Sequence, residues 1–186
     1  FKSPAFTELA KLYCKKAMYK EAIAYADKAV LQNATNVNAY LVKAVANRKY
    51  GNTAEAETTL QTVLKVDPIN HFVRYEQYLL HPDSSSDKNF YSLIRNELPG
   101  ETYTEMAIWY YNTGGTEEAK DLFKRMEPTP ESTAWLAFLD NQPANLTNVS
   151  AILAFPFRAE TAKVFEHLLQ KQTDWMLKYQ LALIYR

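Results

Sequence analysis

The sequence has little cysteine and little glycine, and each shortage excludes a class of structure or site. One cysteine in 186 residues, Cys14, excludes an internal disulfide and a cysteine-rich zinc site. Four glycines without a glycine-rich loop exclude the fingerprints that bind phosphates and dinucleotides. No apolar run approaches the ~18 residues that a membrane-spanning helix needs. We therefore predict no membrane span.

The chain also has no net charge at pH 7. The 21 basic and 21 acidic side chains cancel, which disfavours nucleic acid and anionic membranes as partners because both need a basic field. The charges are unevenly spread: residues 1–50 carry nine basic and three acidic side chains (+6), and residues 51–140 carry seven and fifteen (−8). Residues 141–186 carry five and three (+2). We predict no nucleic-acid partner.

Sequence patterns of catalytic and metal sites are absent as well, including HExxH and GxSxG. Cys14 has no base near it in the sequence that could activate it as a nucleophile. His71, His81 and His167 lie on separate predicted elements, where structural or surface roles outweigh metal binding. We predict no enzyme activity, no catalytic residue, no metal and no cofactor.

The sequence is compatible with more than one cellular compartment. A single thiol fits a reducing compartment or an oxidising one, so a soluble cytoplasmic or periplasmic or secreted protein is expected. The sequence starts at Phe1 and stops inside a helical pattern, DWMLKYQLALIYR, without a capping residue after it. We expect the chain to be a fragment of a longer protein.

Helix-forming residues fill most of the chain, and short polar stretches interrupt them at intervals of one helix. This pattern predicts an all-helical protein of antiparallel helix pairs. Equivalent residues also recur 34 positions apart, so YKEAIAYADKAV and TAEAETTLQTV belong to one unit written twice. The equivalent pairs are Phe6 and Tyr40, Ala10 and Ala44, Ala22 and Ala56, Ala29 and Val63, and Ala34 and Pro68.

The period and its pattern of aromatic and small residues resemble the tetratricopeptide repeat, a helix-turn-helix unit of ~34 residues. The pattern returns in GETYTEMAIWYYNTGGTEEAKDLF, where Tyr110 and Ala119 keep the spacing of Tyr13 and Ala22. The resemblance implies an all-α fold, a right-handed α–α superhelix of about nine to eleven helices. Its small residues would let neighbouring helices approach closely.

The resemblance also implies how the chain is divided. We expect one solenoid over residues 1–186, with regular repeats at 3–68 and 100–127. Repeats at 69–99 and 131–174 are degenerate, and a truncated repeat starts at 175. Pro156 interrupts a helical pattern and predicts a kink or a new helix start.

In this family the first helix of each pair lines a concave groove, and the register implies which side chains enter it. The groove would be basic at one end and acidic or aromatic at the other. It could orient an acidic peptide by charge-assisted contacts, and a solvated lysine face is the alternative. The candidates are Lys11, Lys15, Leu41, Arg48, Lys49, Glu101, Ile108 and Tyr111.

A narrower resemblance comes from the irregular parts, such as NHFVRYEQYL, RNELPGETYTEMAIWYYNTG and FPFRAET. They are similar to the C-terminal repeats of large bacterial proteins whose N-terminal part is a β-sandwich like those of carbohydrate-active enzymes. Two functions follow as expectations. The first is a non-catalytic protein-interaction or assembly module, and the alternative is the structural arm of a large bacterial carbohydrate-processing or carbohydrate-binding protein. The expected partner is a protein or peptide, including another domain of the same chain, with weak self-association through the last helix.

Overall fold

A computed structural model describes residues 2–94, 99–152 and 154–186. Across these residues the chain forms eleven α-helices and no β-strand, which confirms the prediction of an all-α fold. The helices group into two compact units. The expectation of one solenoid over residues 1–186 stays a prediction, and each unit is described by itself.

The first unit contains six helices and also the turn Asn112–Gly115. Each helix packs against the next. The third helix also contacts the first and the fifth, so the first helices of the pairs form one layer. Residues 95–98, part of the degenerate repeat predicted at 69–99, lie outside the described residues. The six helices are α1 (Lys2–Lys15), α2 (Tyr19–Gln32), α3 (Val37–Tyr50), α4 (Thr53–Val66), α5 (His71–Leu80) and α6 (Ser84–Tyr91).

Small residues lie in the interior where the 34-residue register places them. Ala10 and Ala44 in the first helices, and Ala22 and Ala56 in the second helices, have no exposed surface. A side chain of one carbon lets the helix backbones approach closely. The burial of these four alanines is what close packing of the two regular pairs requires.

Two asparagines 34 residues apart start the first helices of successive pairs. The Asn36 Oδ1 accepts a hydrogen bond from the Ala39 backbone N–H at 3.1 Å, and the Asn70 Oδ1 accepts one from the Val73 N–H, also at 3.1 Å. Each side chain satisfies a helix N–H that would otherwise have no partner. The repeat thus includes its helix caps as well as its packing residues.

The turn between the two helices of a pair uses a left-handed residue in three places. Ala17, Gly51 and Gly114 have φ values of 57°, 91° and 84°. Glycine adopts this conformation without strain, whereas for a residue with a Cβ it costs about 1–2 kcal/mol. Gly114 differs from Gly51 in its surroundings, because a Cβ there would lie 2.8 Å from the Lys15 Cα and 3.2 Å from the Cys14 carbonyl oxygen.

Gly114→Ala is therefore expected to destabilise the protein more than Gly51→Ala. A Cβ at Gly51 meets nothing within 4 Å, so that variant loses only the ~1–2 kcal/mol of left-handed strain. Gly114→Ala adds a backbone collision worth a further ~1–3 kcal/mol. Urea unfolding followed by circular dichroism measures both, and equal losses would contradict the packing of this turn against α1.

The second unit contains α7 (Pro99–Asn112) up to Tyr111, α8 (Thr116–Lys124), α9 (Pro130–Leu139), α10 (Ala159–Leu169) and α11 (Trp175–Ile184). Its centre is Trp135, which has no exposed surface. The Trp135 ring stacks on Phe123 at 5.7 Å between centroids and meets the edges of Tyr111 and Phe138 at 5.1 Å and 5.9 Å. Aromatic packing therefore joins α7, α8 and α9.

The helix start predicted near Pro156 is confirmed. No described residue between 142 and 158 is helical, and α10 begins at Ala159. Proline lacks a backbone N–H and its ring collides with the preceding turn, so a helix cannot run through it without a break. Pro156 itself is buried, while Phe155 and Phe157 on either side are 65% and 66% exposed.

Candidate functional site

The eight predicted groove residues fall into two sets. Five lie on α1 and α3 in the first unit, and the other three lie on α7 in the second unit. The first set is Lys11, Lys15, Leu41, Arg48 and Lys49, and the second set is Glu101, Ile108 and Tyr111.

Arg48 is held by an ion pair with Glu76 of α5. Its Nε donates to Glu76 Oε2 at 2.7 Å and its Nη2 donates to Glu76 Oε1 at 2.9 Å. Both side chains are removed from water, with 15% of Arg48 and 1% of Glu76 exposed. Two parallel charge-assisted bonds fix the guanidinium in one orientation, so Arg48 joins the first helices of two successive pairs.

Glu76 was missed by the sequence reasoning, although a signal was present. It follows the buried Val73 by three residues, which places its carboxylate on the same face of α5. A charged residue on an apolar helix face needs a partner of opposite sign. The pattern could have identified Glu76 as a buried acid, but it could not name Arg48 as its partner.

Lysines and apolar residues of the first set differ in exposure. Lys11 donates to Glu8 Oε1 at 2.8 Å, one helical turn away, and Lys15 is exposed at the last residue of α1. Lys49 is half-buried. Leu41 is 2% exposed, so its side chain contributes to the interior. Within the first set, the lysines therefore keep exposed surface, whereas Leu41 does not.

Cys14 and Thr7, which share the α1 register with Lys11, are both buried. Thr7 Oγ1 and Ser3 Oγ accept hydrogen bonds from Asn36 Nδ2 at 3.0 Å and 2.8 Å, which joins α1 to the start of α3. Burial raises the pKa of the Cys14 thiol to about 12. A buried thiol that stays protonated at neutral pH is a poor nucleophile.

In the second unit, Glu101 and Tyr111 are engaged by neighbours. Arg158 Nη1 donates to Glu101 Oε2 at 2.8 Å, and the Tyr111 ring packs against Trp135. Ile108 is 5% exposed. These three side chains hold the helices of the unit together, and Tyr111 keeps part of its surface open to solvent.

A buried polar network lies beside Trp135. Trp135 Nε1 donates to Thr161 Oγ1 at 3.0 Å, and the Thr161 hydroxyl donates to Glu131 Oε1. Burial raises the pKa of the Glu131 carboxyl, against the lowering effects of the Thr161 hydrogen bond and the Arg158 charge. The carboxylate form is therefore disfavoured in the folded protein.

Replacing Glu131 by glutamine is expected to stabilise the protein at neutral pH. Because the folded pKa lies above the unfolded one, the folded state binds the extra proton, and stability falls as pH rises from about 4.3 through the folded pKa. A glutamine side chain stays neutral at every pH and should flatten that part of the curve, with no gain below pH ~4. Urea midpoints from pH 3 to 8 measure the effect. Glu105→Gln, at an exposed site on α7, is the control, and the same pH profile for both variants would contradict the account.

A polar cavity of about 550 Å³ lies in the first unit between α4, α5 and α6. Most of its charged atoms have partners. Glu57 is paired with His81, Asp83 Oδ1 accepts from the Ser86 N–H at 2.7 Å, and Arg74 Nη2 donates to a backbone carbonyl at 2.8 Å. The buried Arg74 Nε has no hydrogen-bond partner among the described residues.

Among the residues that the structure describes there is neither a cluster of metal-ligating side chains nor a membrane-spanning helix. No three histidine, cysteine, aspartate or glutamate side chains among them are grouped as metal ligands would be. Over the same residues, no helix has the length and apolar character needed to cross a membrane.

No family model and no curated protein sequence matches this chain. Among solved structures, the chain is similar to the crystal structure of a tetratricopeptide repeat protein from Parabacteroides merdae ATCC 43184. The two are 18% identical, and the match covers 97% of this chain and 70% of that chain, with a TM-score of 0.44. The all-α architecture rests on the helices of this chain themselves, and the likeness says nothing about partner or activity.

Proposed function

We propose that this chain is a non-catalytic protein-interaction or assembly module. The observation that carries the proposal is the repetition of one helix pair with its packing alanines and its capping asparagine. Stacked pairs bury a shared core and present side chains of successive pairs along one surface, which suits an extended partner. Because one architecture can host many functions, binding has to be measured directly.

The groove candidates differ in whether a ligand can reach their side chains. Lys11, Lys15, Lys49 and Tyr111 keep surface that a ligand can reach. Arg48 and Glu101 are held in ion pairs, and the side chains of Leu41 and Ile108 are buried. A peptide ligand would therefore be recognised by the lysines, with the other candidates holding the helices in place.

A selection from a random peptide library against the folded protein tests the proposal. We expect enriched peptides that bind the folded chain and lose binding when it is unfolded. A helical protein of the same size and unrelated sequence is the control. Failure to enrich any peptide above that control would contradict the function as an interaction module.

One contact favours a second candidate function. The turn Asn112–Gly115 belongs to the first unit, and its Gly114 packs on the backbone of Lys15 at the end of α1. The turn after α7 therefore contacts the end of α1, where the groove candidate Lys15 lies. In this alternative the groove is an intramolecular contact, and the chain is the structural arm of a larger bacterial carbohydrate-processing or carbohydrate-binding protein. An immunoblot of the native polypeptide that shows only a mass near that of this chain would exclude it.

We also propose weak self-association through α11. Two of its aromatic side chains are exposed, Trp175 at 69% and Tyr179 at 47%, and Tyr185 directly after the helix is 64% exposed. Sedimentation velocity at rising concentration should show a dimer that Trp175→Glu with Tyr179→Glu abolishes. Tyr91→Glu, at a 48% exposed site in the first unit, is the control. A monomer at every concentration would contradict self-association through α11.

A further inference from the structure

Four lysines meet at one edge of the first unit, where the turn from α1 to α2 lies beside the end of α3. Lys20 Nζ lies 5.4 Å from the centroid of the Tyr50 ring, and Lys49 directly precedes Tyr50 at the end of α3. The Lys20 contact joins the start of α2 to the end of α3. The four lysines, Lys15, Lys16, Lys20 and Lys49, together with Met18 and Tyr50 are called the basic edge.

The basic edge differs from an ordinary solvated lysine surface in two ways. Lys15, Lys16 and Lys20 are exposed within six residues, from the last residue of α1 to the second residue of α2, and the exposed Glu21 follows them. Between the lysines lie Met18, 39% exposed, and Tyr50, 44% exposed. Methionine and tyrosine are enriched where proteins bind one another.

We propose that the basic edge binds an acidic peptide segment that also carries apolar residues. The proposal rests on the proposed function and names its partner class. Carboxylates of the segment would pair with the lysine ammonium groups, and an apolar side chain would pack on Met18 and the Tyr50 ring. Residues 1–50 carry a charge of +6, which would also speed the approach of an acidic partner.

An acidic segment fits this edge better than a nucleic acid does. The net charge of the chain is zero, and residues 51–97, which continue the same unit, carry seven acidic and four basic side chains (−3). A phosphate backbone that extended past the basic edge would meet these acidic residues, whereas a short peptide can end before them. The edge also has one exposed aromatic ring, Tyr50, rather than a row of rings for successive bases.

Fluorescence anisotropy with a labelled peptide of alternating glutamate and leucine tests the proposal. The whole chain should bind this peptide at about 50 mM salt and release it at about 500 mM, because salt screens exposed charges. The peptide with glutamine in place of glutamate should not bind. Lys16→Glu with Lys20→Glu should weaken binding about tenfold or more, since two attractive contacts are lost and two repulsive ones replace them.

Matched variants make the result specific. Lys28→Glu with Lys65→Glu makes the same change in net charge at exposed sites away from the basic edge and should change binding less than about twofold. The double variant of Lys16 and Lys20 should instead gain affinity for a lysine–leucine peptide. Circular dichroism melts confirm that both double variants are folded.

Three outcomes would overturn the proposal. They are no binding by the unsubstituted chain below about 1 mM peptide, equal weakening by the two double variants, and tighter binding to a single-stranded thymidine oligonucleotide than to the acidic peptide. Peptides from the library selection separate this proposal from the proposed function. If they bind with affinities that Lys16→Glu and Lys20→Glu leave unchanged, the interaction module stands and the basic edge is wrong as its site.

Discussion

Arg48→Ala is expected to lower the free energy of unfolding by about 3–5 kcal/mol. The variant leaves the Glu76 carboxylate, 1% exposed, without the guanidinium that donates two hydrogen bonds to it. A charge that is removed from water and loses its partner costs far more than an exposed one. Urea unfolding followed by circular dichroism measures the loss.

Arg48→Met with Glu76→Leu provides the control for that result. Replacing both charges by apolar side chains removes the buried carboxylate together with the guanidinium, so the double variant should be more stable than either single variant. Lys11→Ala breaks the exposed ion pair with Glu8 and should cost less than about 1 kcal/mol. If Arg48→Ala cost no more than Lys11→Ala, the buried ion pair between α3 and α5 would be contradicted.

Trp135→Ala is expected to destabilise the second unit by about 3–5 kcal/mol. The indole is fully buried, stacks on Phe123 and donates to Thr161 Oγ1 at 3.0 Å. Its removal leaves a cavity at the contact of α7, α8 and α9 and removes the donor of a buried network. Thermal and urea unfolding followed at 222 nm measure the effect without relying on tryptophan fluorescence.

Two further tryptophan variants separate packing from other effects of losing an indole. Trp135→Phe keeps an aromatic ring and should lose only part of the stability, chiefly through the missing N–H donor. Trp175→Ala, at a 69% exposed site on α11, should stay within about 0.5 kcal/mol of the unsubstituted protein. A large loss for Trp175→Ala, or none for Trp135→Ala, would place the core of the second unit elsewhere.

The sequence allowed the helix pairs to be predicted because their signals are local. Ala10, Ala22, Ala44 and Ala56 recur at a fixed period, and a small residue at a close helix contact leaves few other interpretations. The same period contains Asn36 and Asn70, whose role as helix caps was not recognised. Capping depends on where a helix starts, and boundaries are harder to predict than packing faces.

The candidate site was less predictable, for a physical reason. The register of the repeat indicates which face of a helix a residue occupies, but not what covers that face. Arg48 was predicted to face a ligand, which stays a prediction, and its ion pair with Glu76, 28 residues later, was not foreseen. Leu41 and Ile108 were predicted for the groove and are buried. Such outcomes depend on contacts between distant segments, which a repeat pattern does not encode.

The most direct test of the central claim is hydrogen–deuterium exchange of the whole chain with and without a peptide recovered from the library selection. The account predicts that the peptide slows exchange in the first unit, around residues 15–20 and 48–52, because a bound segment shields those turns. The second unit should exchange as before. Protection confined to the second unit, or no change anywhere at saturating peptide, would contradict an interaction module that binds partners through its first two helix pairs.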